Sequence, residues 1–323
     1  MKYACLLLIW LPLFAFGQGK SKSGKSKLPS LSQEHFEILQ KAELELNPLA
    51  FSMFSDTSNL ERMRACYTFI PKFVEALKVP GSFAYPFDSV PILSLLYPAD
   101  SSFRVITWQV SLEGGSYRYF GTIQMNKGKD LMLYPLIDRT DSIASPHDTL
   151  LSPKSWYGAF YYNMIETKAK GKTYYTLFGF DGNDLFSRVK LMDVLHFEEG
   201  KPVFGAPVFE IPDSISADFP YVVKKPLTRF MVYYKFDAKL TLNYNIDDKI
   251  VVFDHIKSDS EFGKDIPVSL IPDGSYDAFE WKNGKWKYIS NVYEQTINRA
   301  NPPLPDPSND VHGNINQKKQ RKK

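Results

Sequence analysis

The sequence predicts a mainly β fold of about a dozen mostly antiparallel strands, preceded by two N-terminal helices. Apolar and polar residues alternate with a period of two from about position 103 onward, and turn-forming residues separate the alternating segments. The connections are mostly too short for the helical crossovers that parallel strands require. About a dozen strands are more than one open twisted sheet usually holds. We therefore expect the sheet to close or to split into packed layers. A sandwich, a barrel and a small propeller all stay open at this point.

Residues 1–17 have the pattern of a secretory signal peptide. A positive charge at Lys2 precedes an uncharged apolar run at 4–16, and small residues end the run just before Gln18. The run is shorter than the roughly 20 residues that span a bilayer, so we expect cleavage and no membrane span in the mature chain. We therefore expect export to the periplasm, the outer envelope or the extracellular medium. Cleavage also leaves Cys66 as the one cysteine, which excludes an internal disulfide.

Two terminal segments carry the basic character of the chain. Residues 18–30 form a Lys/Ser/Gly-rich linker and residues 300–323 form a Pro-rich basic tail, and both compositions predict disorder. The whole chain has a net charge of +3, whereas residues 28–299 carry 29 basic and 34 acidic residues. The folded part is therefore mildly acidic, which argues against a nucleic-acid-binding protein. The tails either serve solubility, which is the favoured interpretation, or attract an anionic envelope surface.

Residues 31–80 are predicted to form a helical segment that packs on the sheet. Ser32 is a candidate N-cap for the first helix, and Ser58 with Glu61 has the spacing of a capping box for the second. Apolar residues at helical spacing predict the buried face of the second helix: Leu60, Met63, Tyr67, Ile70, Val74 and Leu77. Cys66 lies beside this stripe, so we expect a buried and unreactive thiol.

A β-rich domain is predicted for residues 83–299. The segments with strand periodicity are 103–110, 117–125, 131–137, 157–166, 173–180, 187–197, 202–209, 227–236, 239–246, 250–256, 276–281 and 285–289. The alternation is clearest over 227–256, where Phe230, Val232 and Tyr234 share one side. This stretch predicts a meander of neighbouring strands with one solvated face.

The last predicted hairpin places two tryptophans opposite each other. Asn283-Gly284 calls for a two-residue type I′ turn, which pairs Trp281 with Trp286 across the ladder. Such a pair contributes roughly 0.5–1 kcal/mol beyond burial. The two indoles are a candidate sugar-stacking site. We favour the structural interpretation, in which they lock the hairpin.

Three oxygen-bearing side chains lie close together at Asp181, Asn183 and Asp184. Their spacing makes them candidates for calcium ligands. A calcium loop of the EF-hand type needs a longer ligand series that ends in a bidentate Glu, and none follows here. An ordinary turn between strands is the favoured interpretation, because turns demand these residue types.

Asp193 is predicted to lie on an apolar strand face, which it shares with Val189, Leu191, Leu195 and Phe197. Buried carboxylates are candidates for functional sites, and Glu166 is a candidate second carboxylate of an acid pair. The structural alternative, which we favour, is that an arginine or backbone donors pair with Asp193. Asp254 and His255 are adjacent, but neighbouring side chains on a strand point to opposite faces and cannot form a dyad.

Signatures of several enzyme classes are missing from the sequence. It has no HExxH motif, no zinc-type cysteine spacing, no GxSxG elbow, no Walker loop and no GxGxxG in a usable context. We therefore predict no cofactor and no metal, and we favour a non-catalytic protein. A hydrolase stays open, because a glycoside hydrolase needs only two well-placed carboxylates.

Five strings in the β-rich part are fairly specific: SSFRVITWQV at 101–110, YFGTIQ at 119–124, TYYTLFGFDGND at 173–184, RVKLMDVLHF at 188–197 and GKPVFGAPVF at 200–209. Over most of 83–290 the chain resembles an uncharacterised family of secreted β-rich proteins from Gram-negative bacteria. The resemblance implies export and a β-rich fold. It implies no activity, cofactor or site residue.

The sequence thus favours an exported, non-catalytic binding or structural protein of the bacterial envelope. Its expected partner is an envelope glycan or protein. The alternative is a secreted hydrolase that acts on glycan or peptide through paired carboxylates such as Asp193 and Glu166. The sequence leaves the ligand, the sheet topology and the oligomeric state open.

Overall fold

The computed structural model of the chain describes residues 28–128, 130–213, 226–260 and 266–293. Strands make up 42% of the structure and helices 24%, which confirms the mainly β fold. The predicted signal peptide, most of the predicted basic linker and the predicted C-terminal tail lie outside the described residues.

Two helices come first, as predicted. They are α1 (Gln33–Ser55) and α2 (Asn59–Lys78). The Ser32 hydroxyl accepts a hydrogen bond of 3.2 Å from a backbone amide in the first turn, which confirms the predicted N-cap. The predicted capping box of α2 is wrong, because the Ser58 side chain makes no capping hydrogen bond. The Ser58 amide instead donates to Asp56 Oδ1 at 3.0 Å, so the connection between the helices forms its own turn.

The buried face of α2 differs from the predicted stripe. The residues that α2 buries are Ala65, Cys66, Phe69, Phe73, Ala76 and Leu77. Leu60 and Tyr67, which the stripe predicted to be buried, are exposed. Trp108 of the underlying sheet sets the face, since its ring lies 5.7 Å from that of Phe69 and 6.1 Å from that of Phe73. The helix therefore turns its two phenylalanines inward. Of the other members of the predicted stripe, Leu77 is buried as predicted, and Met63, Ile70 and Val74 are half-buried.

Cys66 is the free cysteine of the described residues, and it is fully buried between α2 and the sheet. Burial raises the pKa of its thiol to about 11. The thiolate is the reactive form of cysteine, so this site holds the thiol in its unreactive form at neutral pH.

Fourteen strands lie in the described residues: β1 Ser94–Leu96, β2 Phe103–Ser111, β3 Tyr117–Met125, β4 Met132–Ile137, β5 Phe160–Ala169, β6 Lys172–Asp181, β7 Ser187–Glu198, β8 Lys201–Phe204, β9 Phe209–Glu210, β10 Phe230–Lys235, β11 Leu242–Asn245, β12 Ile250–Ser258, β13 Leu270–Lys282 and β14 Lys285–Ile289. Sheet 1 has the order β1-β2-β3-β4. Sheet 2 has the order β10-β7-β6-β5, with β8 also paired to β7, and sheet 3 has the order β11-β12-β13-β14-β9. Only β9 and β14 pair in parallel within these sheets, so the mostly antiparallel pairing is confirmed.

The three sheets stack as layers, and the helices cover the outer face of sheet 1. Because side chains alternate across a strand, β2 presents Ile106 to the helices and Val105 to sheet 2. In the same way β6 presents Leu177 to sheet 1 and Phe178 to sheet 3. The layer order is therefore helices, sheet 1, sheet 2, sheet 3. Among the open alternatives, the described residues form packed open sheets and no closed barrel.

The predicted meander over 227–256 is wrong at its first strand. β10 pairs with β7 in sheet 2, with Phe230 opposite Met192. β11 and β12 form a hairpin in sheet 3, with Leu242 opposite Phe253. The rings of Phe230 and Phe253 still meet, with their centroids 5.0 Å apart. The apolar residues predicted to share one side of a single sheet therefore lie on two different sheets, and they pack against each other where sheet 2 contacts sheet 3.

Candidate functional site

A cleft opens where the end of α1, the segment before β1, the end of β2 and the starts of β3 and β5 meet. Its volume is about 300 Å³. We call it the α1–β5 cleft, and its lining residues are Met53, Phe54, Pro91, Ile92, Gln109, Ser111, Tyr117 and Phe160. Five separate segments of the chain therefore contribute to one concave surface.

Polar and apolar atoms line the cleft in similar amounts. None of its lining residues carries a charge. The side-chain oxygen of Gln109 is buried and has no hydrogen-bond partner among the described residues. A buried acceptor without a partner costs roughly 1–3 kcal/mol.

Close packing holds the walls of the cleft in place. The ring of Tyr117 lies directly over Gly182, where a Cβ atom would overlap it, so only glycine fits at this position. Phe160 faces Phe180 across the β5–β6 ladder, and the Tyr117 ring lies 6.5 Å from the Phe180 ring. Phe54, in contrast, is 82% exposed and stands at the mouth of the cleft. The cleft is thus a packed recess with one free aromatic ring at its edge.

A group of exposed apolar residues lies beside the β2–β3 turn that precedes Tyr117. We call Leu185, Phe186 and Phe236, which are all exposed, the apolar rim. Leu185 packs beside Gly115 of the β2–β3 turn, two residues before Tyr117. The Phe236 amide donates to the Phe186 carbonyl at 3.0 Å, which holds these two residues together. Contiguous exposed apolar residues of this kind mark interaction surfaces.

Asp193 is fully buried in sheet 2 and paired with an arginine. Its Oδ1 lies 2.9 Å from Arg229 Nη2, and both side chains are inaccessible to solvent. Its Oδ2 accepts the Tyr161 hydroxyl at 2.8 Å, and that hydroxyl accepts Trp156 Nε1 at 2.9 Å. Burial raises the pKa of the Tyr161 hydroxyl well above its usual range, and the charge of Asp193 adds to this effect, so the hydroxyl stays a donor. Both carboxylate oxygens therefore have partners inside the fold.

Glu166 lies two strands away from Asp193. Glu166 stands opposite Tyr175 of β6, and Asp193 stands opposite Leu177 of the same strand. Two strand spacings, about 10 Å, thus separate the two backbones. Glu166 Oε1 forms an ion pair with Lys168 Nζ at 3.0 Å. The structure does not place the two carboxylates side by side.

Asp181, Asn183 and Asp184 lie in the turn between β6 and β7. Asp181 Oδ1 accepts the Tyr119 hydroxyl at 3.0 Å, and Oδ2 accepts the Tyr157 hydroxyl at 2.6 Å. Burial raises the pKa of the Asp181 carboxyl, although these hydrogen bonds lower it. Asp184 Oδ1 accepts two backbone amides of the turn, and Asn183 adopts a left-handed φ of 50°. Across the described part of the chain, no group of three or more His, Cys, Asp or Glu residues could hold a metal ion.

The last hairpin has the predicted register, with Trp281 opposite Trp286. Asn283 and Gly284 have φ values of 55° and 78°, as a type I′ turn requires. The two indole rings lie 5.2 Å apart at 65°, so they meet edge to face instead of stacking. Trp286 is buried, and its Nε1 donates to Thr176 Oγ1 at 3.1 Å. Only Trp281 of the pair presents part of its ring to solvent.

Sheet 3 contains an acid–histidine pair that sequence reasoning missed. The β12 register shifts between Asp254 and Ile256, which leaves His255 in a bulge. His255 Nδ1 lies 2.7 Å from Oδ2 of the buried Asp277, which also accepts the Tyr288 hydroxyl. The hydrogen bond to Asp277 raises the pKa of the His255 imidazole. To predict this pair from the sequence, one would have to know that the predicted strands 250–256 and 276–281 are neighbours in a sheet. One would also need the register, that is, which residues of the two strands face each other, and the sequence does not specify it.

The chain matches no protein-family model, no curated protein and no solved structure. Within the described ranges, no helix combines the length and the apolar character that crossing a membrane requires.

Proposed function

We propose that the chain is an exported, non-catalytic binding protein of the bacterial envelope, and that it holds its partner in the α1–β5 cleft. One observation carries the proposal: the uncharged recess of about 300 Å³ to which five segments of the chain contribute. Ligand sites usually combine apolar walls with a few placed polar groups. The exposed ring of Phe54 and the apolar rim add apolar surface outside the cleft.

The polar groups that resemble catalytic residues have structural partners, which supports a non-catalytic role. Asp193 is enclosed with Arg229, and Glu166 pairs with a lysine on its own strand. Hydrolysis by two carboxylates needs carboxyl groups about 5–9.5 Å apart around a space for the substrate. A hydrolase that acts on glycan or peptide through Asp193 and Glu166 is therefore the less favoured proposal.

Export is proposed from the sequence of residues 1–17 and from the resemblance to secreted proteins. Cell fractionation followed by N-terminal sequencing tests this part. We expect the mature chain outside the cytoplasm with Gln18 as its first residue. Recovery of a chain with intact residues 1–17 in the cytoplasm would contradict export.

Retention of purified 18–323 on peptidoglycan and on outer-membrane vesicles tests binding. The matched variants are Phe54→Ser at the mouth of the cleft and Ile246→Ser on the β11–β12 turn in sheet 3. Both remove an exposed apolar side chain, at 82% and 68% exposure, so neither should disturb the core. We expect Phe54→Ser to lower retention at least fivefold and Ile246→Ser to leave it unchanged.

Two results would contradict the proposal. Equal retention of both variants and the unmodified chain would remove the cleft from the binding surface. Turnover of a model glycoside or peptide by 18–323, lost in Glu166→Gln, would replace the binding protein with the hydrolase.

A further inference from the structure

Strand β5 leaves one edge of sheet 2 open over its second half. It is the last strand in the order of sheet 2, and in the part of the chain that the structure describes only β6 pairs with it. The first half of this edge is covered, since the Tyr161 carbonyl accepts the Ser94 hydroxyl of β1 at 2.5 Å. Residues 164–169 extend beyond this contact, and the Lys168 side chain is 71% exposed. An open edge presents backbone groups to which another strand can add.

The turn of the β5–β6 hairpin determines which backbone groups of β5 point outward. Residues 170–171 have φ values of 49° and 76°, as in a two-residue type I′ turn. The residues that flank such a turn exchange both backbone hydrogen bonds, and the pattern alternates from there along the ladder. The amides and carbonyls of Glu166 and Lys168 therefore point away from β6. The Lys168 carbonyl accepts Trp281 Nε1 at 3.3 Å, and its second lone pair remains for another donor.

The charges on this edge are complementary to a second copy of the same edge. Glu166 and Lys168 lie on one face of β5, because they are two residues apart. In an antiparallel pair of two β5 strands centred on Thr167, Glu166 of each copy lies opposite Lys168 of the other. The outward amides and carbonyls of these residues then face each other as well. A centre one residue earlier or later would oppose two glutamates or two lysines, and like charges directly opposite are destabilising.

We propose that two copies of the chain associate through antiparallel pairing of their β5 edges, with Thr167 at the two-fold axis. The pairing joins sheet 2 of both copies into one continuous sheet. Glu166 and Lys168, whose side chains form an ion pair at 3.0 Å within each copy, become a group of alternating charges across the axis. Exposed ion pairs contribute little affinity, so backbone hydrogen bonds hold the strands together and the charges fix the register. This dimer goes beyond the proposed binding in the α1–β5 cleft and does not depend on it.

Sedimentation velocity of purified 18–323 over a range of concentrations tests the pairing. We expect the unmodified chain to form a dimer as the concentration rises. Glu166→Lys and Lys168→Glu each place like charges opposite one another on both sides of the axis, and each should weaken association about tenfold. The double reversal restores opposite charges and should recover the affinity of the unmodified chain. Glu61→Lys, which breaks the exposed pair with Arg64 at 2.7 Å on α2, is the matched control and should leave association unchanged.

Cysteine substitution tests the register itself. Thr167 lies opposite its own copy in the proposed pair, with the Cα atoms about 4.5 Å apart, which a disulfide can bridge. Thr167→Cys should therefore give a disulfide-linked dimer under mild oxidation. Lys170→Cys, on the exposed turn, is the control and should give none, because six residues along the strands, about 20 Å, separate its two copies. Cys66 is buried and does not compete.

Three results would overturn the dimer. A single-chain mass at every concentration would assign the charges of β5 to protection of the edge against unwanted pairing. A dimer that neither single reversal weakens would place the interface elsewhere on the molecule. A single-chain mass combined with envelope retention that Glu166→Lys abolishes would assign the edge to a strand of another protein. Retention through the α1–β5 cleft is tested separately by Phe54→Ser, so failure of the dimer leaves the proposed function intact.

Discussion

Removal of the Arg229 guanidinium should destabilise the fold more than any change to a surface ion pair. Arg229→Met keeps an unbranched side chain but deletes the contact of 2.9 Å between Nη2 and Asp193 Oδ1. The carboxylate of Asp193 then keeps two donors, the Tyr161 hydroxyl at 2.8 Å and the Val194 amide at 2.9 Å. It must remain charged without a counter-charge in a fully buried site, or it must take up a proton.

The expected cost follows from this burial. Removal of one partner from a buried ion pair costs about 3–5 kcal/mol, because the other charge stays unpaired. Domains have a total stability of about 5–15 kcal/mol, so this loss is a large fraction of it. For a folded part of roughly 250 residues the loss lowers the melting temperature by about 6–10 °C.

Urea unfolding followed by tryptophan fluorescence measures this loss. The control is Lys287→Met, which breaks the exposed pair of Lys287 Nζ and Glu210 Oε1 at 3.0 Å and should cost below about 1 kcal/mol. Combining Arg229→Met with Asp193→Leu removes both charges and should recover at least about 1 kcal/mol. A loss for Arg229→Met as small as that of the control would refute the role of the buried pair.

Three further predictions concern other parts of the fold. Gly182→Ala should cost about 1–3 kcal/mol, since its methyl group overlaps the ring of Tyr117; an unchanged melting temperature would contradict this packing. Cys66, with its thiol pKa raised to about 11, should resist Ellman's reagent at pH 8 until the chain unfolds, and stoichiometric labelling of the folded chain would contradict its burial. His255 should titrate by NMR above its ordinary pKa, and Asp277→Asn should lower that pKa. Because the folded pKa is raised, the stability from this pair is present below about pH 6.5 and is lost as the pH rises through the folded pKa; an unchanged His255 titration in Asp277→Asn would contradict the pairing.

Local patterns predicted much of the secondary structure. The strand over 117–125 and the strand over 285–289 coincide with the predicted segments, since alternation and turn residues lie within a few positions of each other. The register of the last hairpin followed from Asn283-Gly284 alone, because the turn type sets which residues face each other. The predicted cap at Ser32 is equally local.

Contacts between distant segments could not be predicted in this way. The α2 helix offers two apolar stripes, and Trp108 of another element selects the one that is buried. The sequence indicated that Asp193 would have a structural partner, but Arg229 became identifiable only through the pairing of β7 with β10. The α1–β5 cleft escaped prediction entirely, because it requires five segments to meet and has no motif in any of them.

Site-specific crosslinking in cells that produce the chain tests whether the α1–β5 cleft contacts a partner in the envelope. A photoreactive benzoylphenylalanine replaces Phe54 in one variant and Ile246 in the other. We expect a discrete crosslinked envelope partner at position 54 and none at position 246. The same adducts at both positions, or none at position 54 while the chain is retained in the envelope, would contradict binding at the α1–β5 cleft.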